Sequence, residues 1–170
     1  MQRCLCGKET KKWPKAWSTF PLIAEVYGEE TANENEPSQL SPFPIGEPNE
    51  KFAGYFTGQS YLYPLTAEPI PTSNVTFEPG CRNNWHIHRA KSGGGQLLIC
   101  VSGRGWYQEW GGEARELHPG DVVNIPANVK HWHGAARDSW FQHIAQGIPG
   151  EESHTEWCEP VEDEVYSKLP

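Results

Sequence analysis

Short apolar runs separated by turns fill the chain from about residue 52 onward. Some of these runs are continuously apolar and others alternate apolar with polar residues, as in SYLYPL, SNVTFEPG, QLLICVSGRG, DVVNIPAN and SWFQHIAQG. Runs of about four to eight residues with Gly, Pro, Asn or Asp between them are typical of a β-sandwich or a β-barrel. The pattern therefore predicts an all-β fold.

The same pattern divides the chain into three parts. Residues 1–50 are polar, acidic and interrupted by proline, which predicts an extended N-terminal arm, although apolar positions at 20–27 allow a short helix or strand. Residues 51–150 contain the runs and form the predicted barrel. Residues 151–170 form a C-terminal tail, in which a short helix is predicted after Pro160.

Composition agrees with an all-β fold and adds one anomaly. The 170 residues include 17 Gly and 15 Pro but only 36% hydrophobic residues, which disfavours long helices. Eight Trp residues supply large buried area to a chain with a modest aliphatic content. Seven His residues have little packing value, so their number needs a separate explanation.

The acidic charge narrows the choice of partners. A formal net charge of −8 disfavours binding to nucleic acid or to an anionic membrane surface, because both carry negative charge, so a small-molecule substrate is favoured. No apolar run reaches the roughly 18 residues of a membrane-spanning helix, and the basic first residues precede no signal-peptide-like stretch. We therefore expect a cytoplasmic protein.

Five Cys residues, with Cys4 and Cys6 close together in a loose tail, show no disulfide framework.

Five of the seven histidines fall in predicted strands. Successive side chains of a strand point to opposite faces, so His86 and His88 share one face, and His131 and His133 share a face of a later strand. His143 lies on the inward face of a third strand. A single histidine is most often a packed or surface residue, but five at strand spacing predict a metal site.

The remaining two histidines and the tryptophans next to the pairs have simpler interpretations. His118 lies in a predicted turn and His154 in the polar tail, so both are expected at the surface. Trp85 and Trp132 alternate with the histidines and must point to the opposite face. Two exposed tryptophans would form an unfavourable apolar patch, so we expect the N-terminal arm or a partner subunit to cover them.

The histidine spacing resembles that of a known family. The pattern G-x5-H-x-H begins at Gly80 and is followed by Gln96-x6-Gly103, which resembles the first cupin motif. The pattern G-x5-P-x4-H begins at Gly120 and ends at His131, which resembles the second. More narrowly, the chain resembles the small single-domain cupins associated with carboxymuconolactone decarboxylase, which include the bacterial manganese hydroxynitrile lyases.

The resemblance implies a fold and a set of site residues. It implies a double-stranded β-helix, also called a jelly-roll barrel, with a metal held inside and assembly into a homodimer or a higher homo-oligomer. It also implies that the metal ligands are His86, His88, Gln96 and His131. His133 and His143 match positions that have no ligand role in the motif, and both are candidate general bases, since imidazole titrates near neutral pH.

The chain departs from the general cupin pattern in four places, the least important of which is Ala135, where the second motif ends in Asn. Seven residues, RAKSGGG, separate His88 from Gln96, more than the motif usually has, and the three glycines are expected to absorb them as a bulged loop. Gln96 stands where most cupins have Glu, a change shared with the hydroxynitrile lyases. Asn128 replaces a glycine of the second motif, which Asn tolerates because it accepts positive φ.

The predicted ligands carry no negative charge, which affects the chemistry of the bound ion. A divalent transition metal held by three imidazoles and one amide keeps its charge and acts as a strong Lewis acid. Such ligands suit Mn, Fe, Ni, Co or Zn, and the resemblance favours Mn.

Several functions remain compatible with this site, because the cupin fold serves many reactions. The first hypothesis is a metal-dependent lyase that breaks a C–C bond of a small α-hydroxy compound, in the manner of a hydroxynitrile lyase. One alternative is an Fe(II) or Mn(II) dioxygenase or a decarboxylase. Another is a non-catalytic cupin that binds a small molecule.

Overall fold

The computed structural model describes residues 40–170. Within this range the chain forms, in order, β1 Glu47–Pro48, a 3₁₀ helix Glu50–Tyr55, β2 Phe56–Thr57, β3 Ser60–Thr66, β4 Thr72–Phe77, β5 Arg82–Asn83, β6 His86–Arg89, β7 Ser92–Gly93, β8 Gly95–Gly103, β9 Gly105–Glu109, β10 Arg115–Leu117, β11 Val122–Pro126, β12 Lys130–Ala135, β13 Phe141–Gly147, β14 Gly150–Glu151, β15 His154–Trp157 and helix α1 Asp163–Tyr166.

The strands form two large antiparallel sheets and one small ribbon. The first sheet has the order β1-β3-β4-β13-β8-β11. The second has the order β10-β9-β12-β5-β2, and β6 joins it by pairing with β12, while β15 pairs with β6. The ribbon consists of β7 and β14. Several neighbouring strands in each sheet are far apart in sequence, as in a double-stranded β-helix.

A hydrophobic core lies between the two large sheets. The first sheet contributes Phe77, Leu98 and Phe141, each 0% exposed, and the second contributes Tyr107 and Ala135. Burying a Leu or Phe side chain fully stabilises the fold by about 1.5–3 kcal/mol, so this layer dominates the favourable side of folding. The prediction of an all-β double-stranded β-helix is confirmed.

The outer face of the second sheet carries a separate, tryptophan-rich cluster. Trp85 and Trp132 are only 7% and 0% exposed, which confirms that they serve packing. Val161, Tyr166 and Leu169 of the C-terminal segment pack on this cluster. The expectation that the N-terminal arm or a partner subunit covers this face is therefore wrong for the described residues, because the chain's own C-terminal segment covers it.

Polar contacts anchor the C-terminal segment to the sheet. The buried guanidinium of Arg82 donates to the carbonyl oxygen of Val161 at 3.2 Å and forms an ion pair with Asp163. The hydroxyl of Tyr166 donates to the carbonyl oxygen of Ala135 at 2.7 Å. These contacts satisfy buried polar groups that would otherwise destabilise the fold. They also hold α1, which confirms the short helix predicted near the C-terminus.

Residues beyond 150 also extend the sheets, which the sequence did not predict. β15 pairs with β6, and its register places Thr155 opposite His88 and Trp157 opposite His86. The run HTEW is short and mostly polar, so it carries no strand signal of its own. Its pairing depends on β6, which precedes it by more than 60 residues.

Part of the predicted N-terminal arm lies outside the described residues. The helix or strand expected at 20–27 falls there, as do Cys4 and Cys6. The described end of the arm lies against the first sheet, where the side chain of Asn74 donates to the carbonyl oxygen of Pro44 at 2.7 Å. Across residues 40–170, no helix is both long and apolar enough to cross a membrane.

Candidate metal centre

Strands β6 and β12 bring three imidazole rings together inside the barrel. The register pairs His131 directly with His86, and the centroids of these two rings are 4.1 Å apart. The ring of His88 lies 5.1 Å from that of His86 and 5.2 Å from that of His131. The predicted ligands on these two strands therefore share one small volume.

Backbone carbonyl groups orient two of these rings. Nδ1 of His86 lies 2.9 Å from the carbonyl oxygen of Asn84, and Nδ1 of His131 lies 2.9 Å from that of Val129. A carbonyl oxygen only accepts, so each Nδ1 carries the proton and each Nε2 keeps its lone pair. Histidine ligands in metal sites are commonly held in this way.

His88 has a weaker partner on the outer side of its ring. The hydroxyl of Thr155, in β15, lies 3.3 Å from its Nδ1. A hydroxyl can accept the Nδ1 proton, which leaves the lone pair on Nε2. The Nε2 atoms of His88 and His131 are buried and have no hydrogen-bond partner among residues 40–170. Each of these two nitrogens is a buried acceptor without a partner among the described residues, which suits a metal ligand.

Replacing Thr155 by Val should weaken metal binding by about tenfold without unfolding the protein. Valine keeps the shape and the strand preference of threonine but cannot hold the Nδ1 proton of His88. Competition with a chelator would measure the affinity, and Thr155→Ser, which keeps the hydroxyl, is the matched control. Equal metal affinity in the Val and Ser variants would show that this hydroxyl does not orient His88.

Three glycines let Gln96 reach the site in spite of the insertion. The glycines at 93–95 have φ values of +62°, +74° and +101°. A Cβ on Gly95 would lie 2.3 Å from the carbonyl oxygen of Ile125, so no larger residue fits there. Gln96 follows in β8 and lines the same cavity as His88, and its Oε1 is buried without a hydrogen-bond partner in the described part of the chain.

Asn128 stabilises the inserted loop from the other side. Its φ is +68°, which confirms that it takes the positive φ expected of the glycine that it replaces. Its side-chain nitrogen donates to the carbonyl oxygen of Ala90 at 2.9 Å. The substitution therefore adds a contact that glycine could not make.

His133 and His143 lie next to this group but differ in their surroundings. His133 lines the cavity, and its Nε2 lies 3.0 Å from the side-chain nitrogen of Asn83. His143 is 0% exposed, and its ring lies 4.9 Å from that of His133, 5.3 Å from that of Phe77 and 5.1 Å from that of Phe141. Neither nitrogen of His143 has a hydrogen-bond partner among the described residues.

Among the described residues, one triad of histidines meets the distance requirement of a metal site, and it differs from the triad that the motif predicts. One ligand nitrogen from each of His86, His131 and His133 lies within 4.8 Å of the others. The motif instead combines His88 with His86 and His131. The hydrogen bond from Asn83 occupies the Nε2 lone pair of His133, whereas Nε2 of His88 has no such partner. The donor set therefore favours His88 as the third imidazole.

Burial keeps all five interior imidazoles neutral at pH 7. Desolvation lowers the pKa of His131 to about 4 and that of His143 to about 3, from an ordinary value of 6.5. Burial, together with the neighbouring imidazoles, holds the pKa of His86 and that of His133 well below this value. Burial also lowers the pKa of His88, and the adjacent Gln96 partly offsets this. Neutral imidazoles offer the lone pairs that metal binding needs.

The imidazoles of His86, His88 and His133 border a cavity of about 280 Å³, whereas those of His131 and His143 are not among its lining residues. Its other walls are mainly aromatic and aliphatic, and they include Phe52, Phe56, Leu62, Val75, Phe77, Ala145 and Trp157. No Asp, Glu, Lys or Arg is among the described residues that line it. The cavity therefore suits a small, mostly apolar molecule with one polar end that faces the histidines.

Sequence patterns did not identify three residues that shape the site. Asn83 contacts His133, Thr155 contacts His88, and the ring of Trp157 lies 5.0 Å from that of His86. The residue spacing i, i+2 in β15 places Thr155 and Trp157 on one face, but this signal is useful only once the pairing of β15 is known.

Fold and site together define a β-barrel protein with a histidine-rich metal site inside it. Residues 73–140 match the Cupin domain family. An (R)-mandelonitrile lyase from Granulicella tundricola is 42% identical over 120 residues, which cover 68% of this chain and 88% of the lyase. The chain belongs to the cupin family, and within it to the small cupins of hydroxynitrile-lyase type.

Solved structures agree with this assignment. A cupin-like protein from Thermotoga maritima is 40% identical, with a TM-score of 0.65, over 75% of this chain and 95% of that protein. A cupin 2 conserved barrel domain protein from Rhodopseudomonas palustris is 17% identical, with a TM-score of 0.54, over 71% and 80% of the two chains. The second similarity supports the fold alone.

Proposed function

We propose that the protein is a metal-dependent lyase that cleaves an α-hydroxynitrile into an aldehyde and hydrogen cyanide. The observation that carries this proposal is the 42% identity to a mandelonitrile lyase, which extends over 88% of that enzyme. The cavity is consistent with such a substrate, because aromatic and aliphatic side chains line it together with three histidines and a few uncharged polar groups.

The donor atoms fit a divalent ion. Nε2 of His88, Nε2 of His131 and Oε1 of Gln96 are all buried without hydrogen-bond partners among the described residues. Leaving a buried acceptor unpaired costs about 1–3 kcal/mol, so three together need a compensating ligand. His86 completes the proposed set. A metal bound there would supply Lewis-acid polarisation of the substrate hydroxyl.

Two imidazoles, those of His133 and His143, are not among the proposed metal ligands and are available for proton transfer. In the proposed reaction, His133 or His143 accepts the proton of the substrate hydroxyl, and the O–H electron pair forms the C=O bond of the aldehyde. The C–C bond breaks and its electron pair leaves with cyanide. The same proton is then returned to cyanide, so the histidine is regenerated and no oxidant or reductant is used.

The unpaired nitrogens of His143 support a functional role. A buried imidazole with no partner among residues 40–170 destabilises the fold, and an apolar side chain would avoid this cost. Replacing His143 by Phe should therefore raise the free energy of unfolding by about 1 kcal/mol. It should also lower the rate of mandelonitrile cleavage by at least about 100-fold, with the metal content unchanged.

The test combines metal analysis with a substrate assay. Protein purified without added metal would be analysed for its elements, loaded with the metal found, and assayed for release of benzaldehyde from mandelonitrile. His133→Ala should also lose cleavage and keep its metal, while His154→Gln, an exposed histidine, is the control. Cleavage at the wild-type rate in both His133→Ala and His143→Phe would contradict the proposed roles.

Three finer expectations remain predictions. Manganese is the proposed metal because the chain resembles manganese hydroxynitrile lyases, and the elemental analysis would test it. A homodimer or higher homo-oligomer is proposed on the same resemblance, and sedimentation velocity would measure its size. A cytoplasmic location is likewise a proposal, which cell fractionation would test.

A further inference from the structure

The side chain of Asn83 bridges a gap in the second sheet. Strand β12 pairs with β5 at Gly134 and with β6 at His131, so the backbone N–H of His133 faces neither strand. Asn83, which is 3% exposed, fills this gap: its Oδ1 accepts a hydrogen bond from that N–H at 3.0 Å. Its Nδ2 lies 3.0 Å from Nε2 of the same histidine.

The backbone contact determines which way the amide of Asn83 faces. A backbone N–H can only donate, so the oxygen of the amide must lie next to it. The reversed amide would place two donors against each other in a buried site, which is strongly unfavourable. The NH₂ group of Asn83 must therefore face the ring of His133.

An NH₂ group can only donate, so Nε2 of His133 must accept. We propose that Asn83 is a positioning residue that holds neutral His133 in the tautomer with the proton on Nδ1. The three other histidines near the metal site have their Nδ1 atoms fixed by Asn84, Val129 or Thr155. His133 is held from its Nε2 side instead, which sets it apart from the proposed ligands.

The tautomer of His133 also separates its role from that of His143, and this step rests on the proposed function. With the Nε2 lone pair occupied, neutral His133 presents an N–H donor rather than an acceptor. It is then suited to stabilise the departing cyanide by donating a hydrogen bond, while the proton taken from the hydroxyl is the one that is returned to cyanide. His143 has no partner on either nitrogen among the described residues, so its tautomer is unrestrained and either nitrogen can accept a proton.

Substitution of Asn83 by Asp provides a selective test. Aspartate has nearly the same shape, and one of its oxygens can still accept from the backbone N–H of His133. Its second oxygen accepts as well, so it should draw the ring proton to Nε2. Asn124→Asp adds the same charge at an exposed position of β11 and is the matched control.

The tautomer can be read from long-range ¹H–¹⁵N correlations of the histidine rings in the full chain. Spectra would be recorded at pH 8 on metal-free and on zinc-loaded protein, and His133 would be assigned by the signals lost in His133→Gln. We expect a proton on Nδ1 alone in the wild type and in Asn124→Asp, and a proton on Nε2 in Asn83→Asp. A proton on Nε2 in the wild type would overturn the inference even if the variant failed to fold.

Kinetics supply a second, separate measurement. Asn83→Asp should lower kcat for mandelonitrile cleavage by about 100-fold or more, with little change in KM or in metal content, because the imidazole is present in the wrong tautomer. If Nε2 of His133 carries no proton in a folded Asn83→Asp protein, the inference is wrong. If wild-type protein cleaves no hydroxynitrile, the proposed function fails, whereas the spectra still decide the tautomer.

Discussion

Replacing His131 by Ala is expected to abolish stable binding of the divalent metal. His131 is 0% exposed, and the carbonyl oxygen of Val129 holds its Nδ1 so that Nε2 faces His86 and His88. Changes to groups that only orient a ligand weaken metal binding by about 10- to 100-fold, so loss of a ligand should weaken it by more than about 100-fold. Cleavage of mandelonitrile should be lost with the metal.

Metal content after gel filtration, together with a thermal melt, would measure this effect. His118→Ala and His154→Ala remove exposed imidazoles and should retain the wild-type metal content. His131→Asn keeps a polar side chain and serves as a second variant if the Ala variant unfolds. Retention of one metal per chain by a folded His131 variant would show that the ligand assignment is wrong.

The same assay separates the two possible triads. If His88 is the third imidazole, His88→Ala should lose the metal and His133→Ala should keep it. The reverse result would assign the ion to His86, His131 and His133, which lie within 4.8 Å of one another. The bond from Asn83 to His133 is the reason that we expect the first result.

Much of this centre was predictable from sequence because strand periodicity is local. In His86-Ile-His88 and in His131-Trp-His133, the alternation of side chains alone places each pair on one face. The antiparallel pairing of β6 with β12 then brings the two pairs together. The glycines at 93–95 could likewise be read as a flexible insertion, since only glycine adopts three positive φ values in a row readily.

The residues that surround the centre were not predictable, because their contacts join distant parts of the chain. Thr155 reaches His88 through a strand with no periodic signal of its own. Asn83 is one polar residue among several in its segment, and its role depends on a gap between two strands. The tryptophans are covered by the C-terminal segment rather than by the expected N-terminal arm or partner subunit, because sequence alone shows that a face is apolar but not what lies on it.

Replacing Trp132 by Ala is expected to destabilise the fold strongly, because this side chain fills the centre of the tryptophan-rich cluster. The side chain is 0% exposed and lies between Trp85 and Tyr166, with ring centroids 6.4 and 6.1 Å away. Its Nε1 donates to the side-chain oxygen of Gln108 at 2.7 Å. Truncation of a buried Trp to Ala typically costs about 3–5 kcal/mol, and here it also leaves a polar group unpaired.

Urea denaturation would measure the loss, and Trp110 provides the control. Trp110 belongs to the same sheet surface but is 60% exposed, so Trp110→Ala should cost about 1 kcal/mol or less. Trp132 lies between His131 and His133 in the strand, so its loss should also weaken metal binding, because the ligand strand is then less firmly held. A Trp132→Ala protein as stable as Trp110→Ala would mean that the C-terminal segment does not pack on this face as the structure has it.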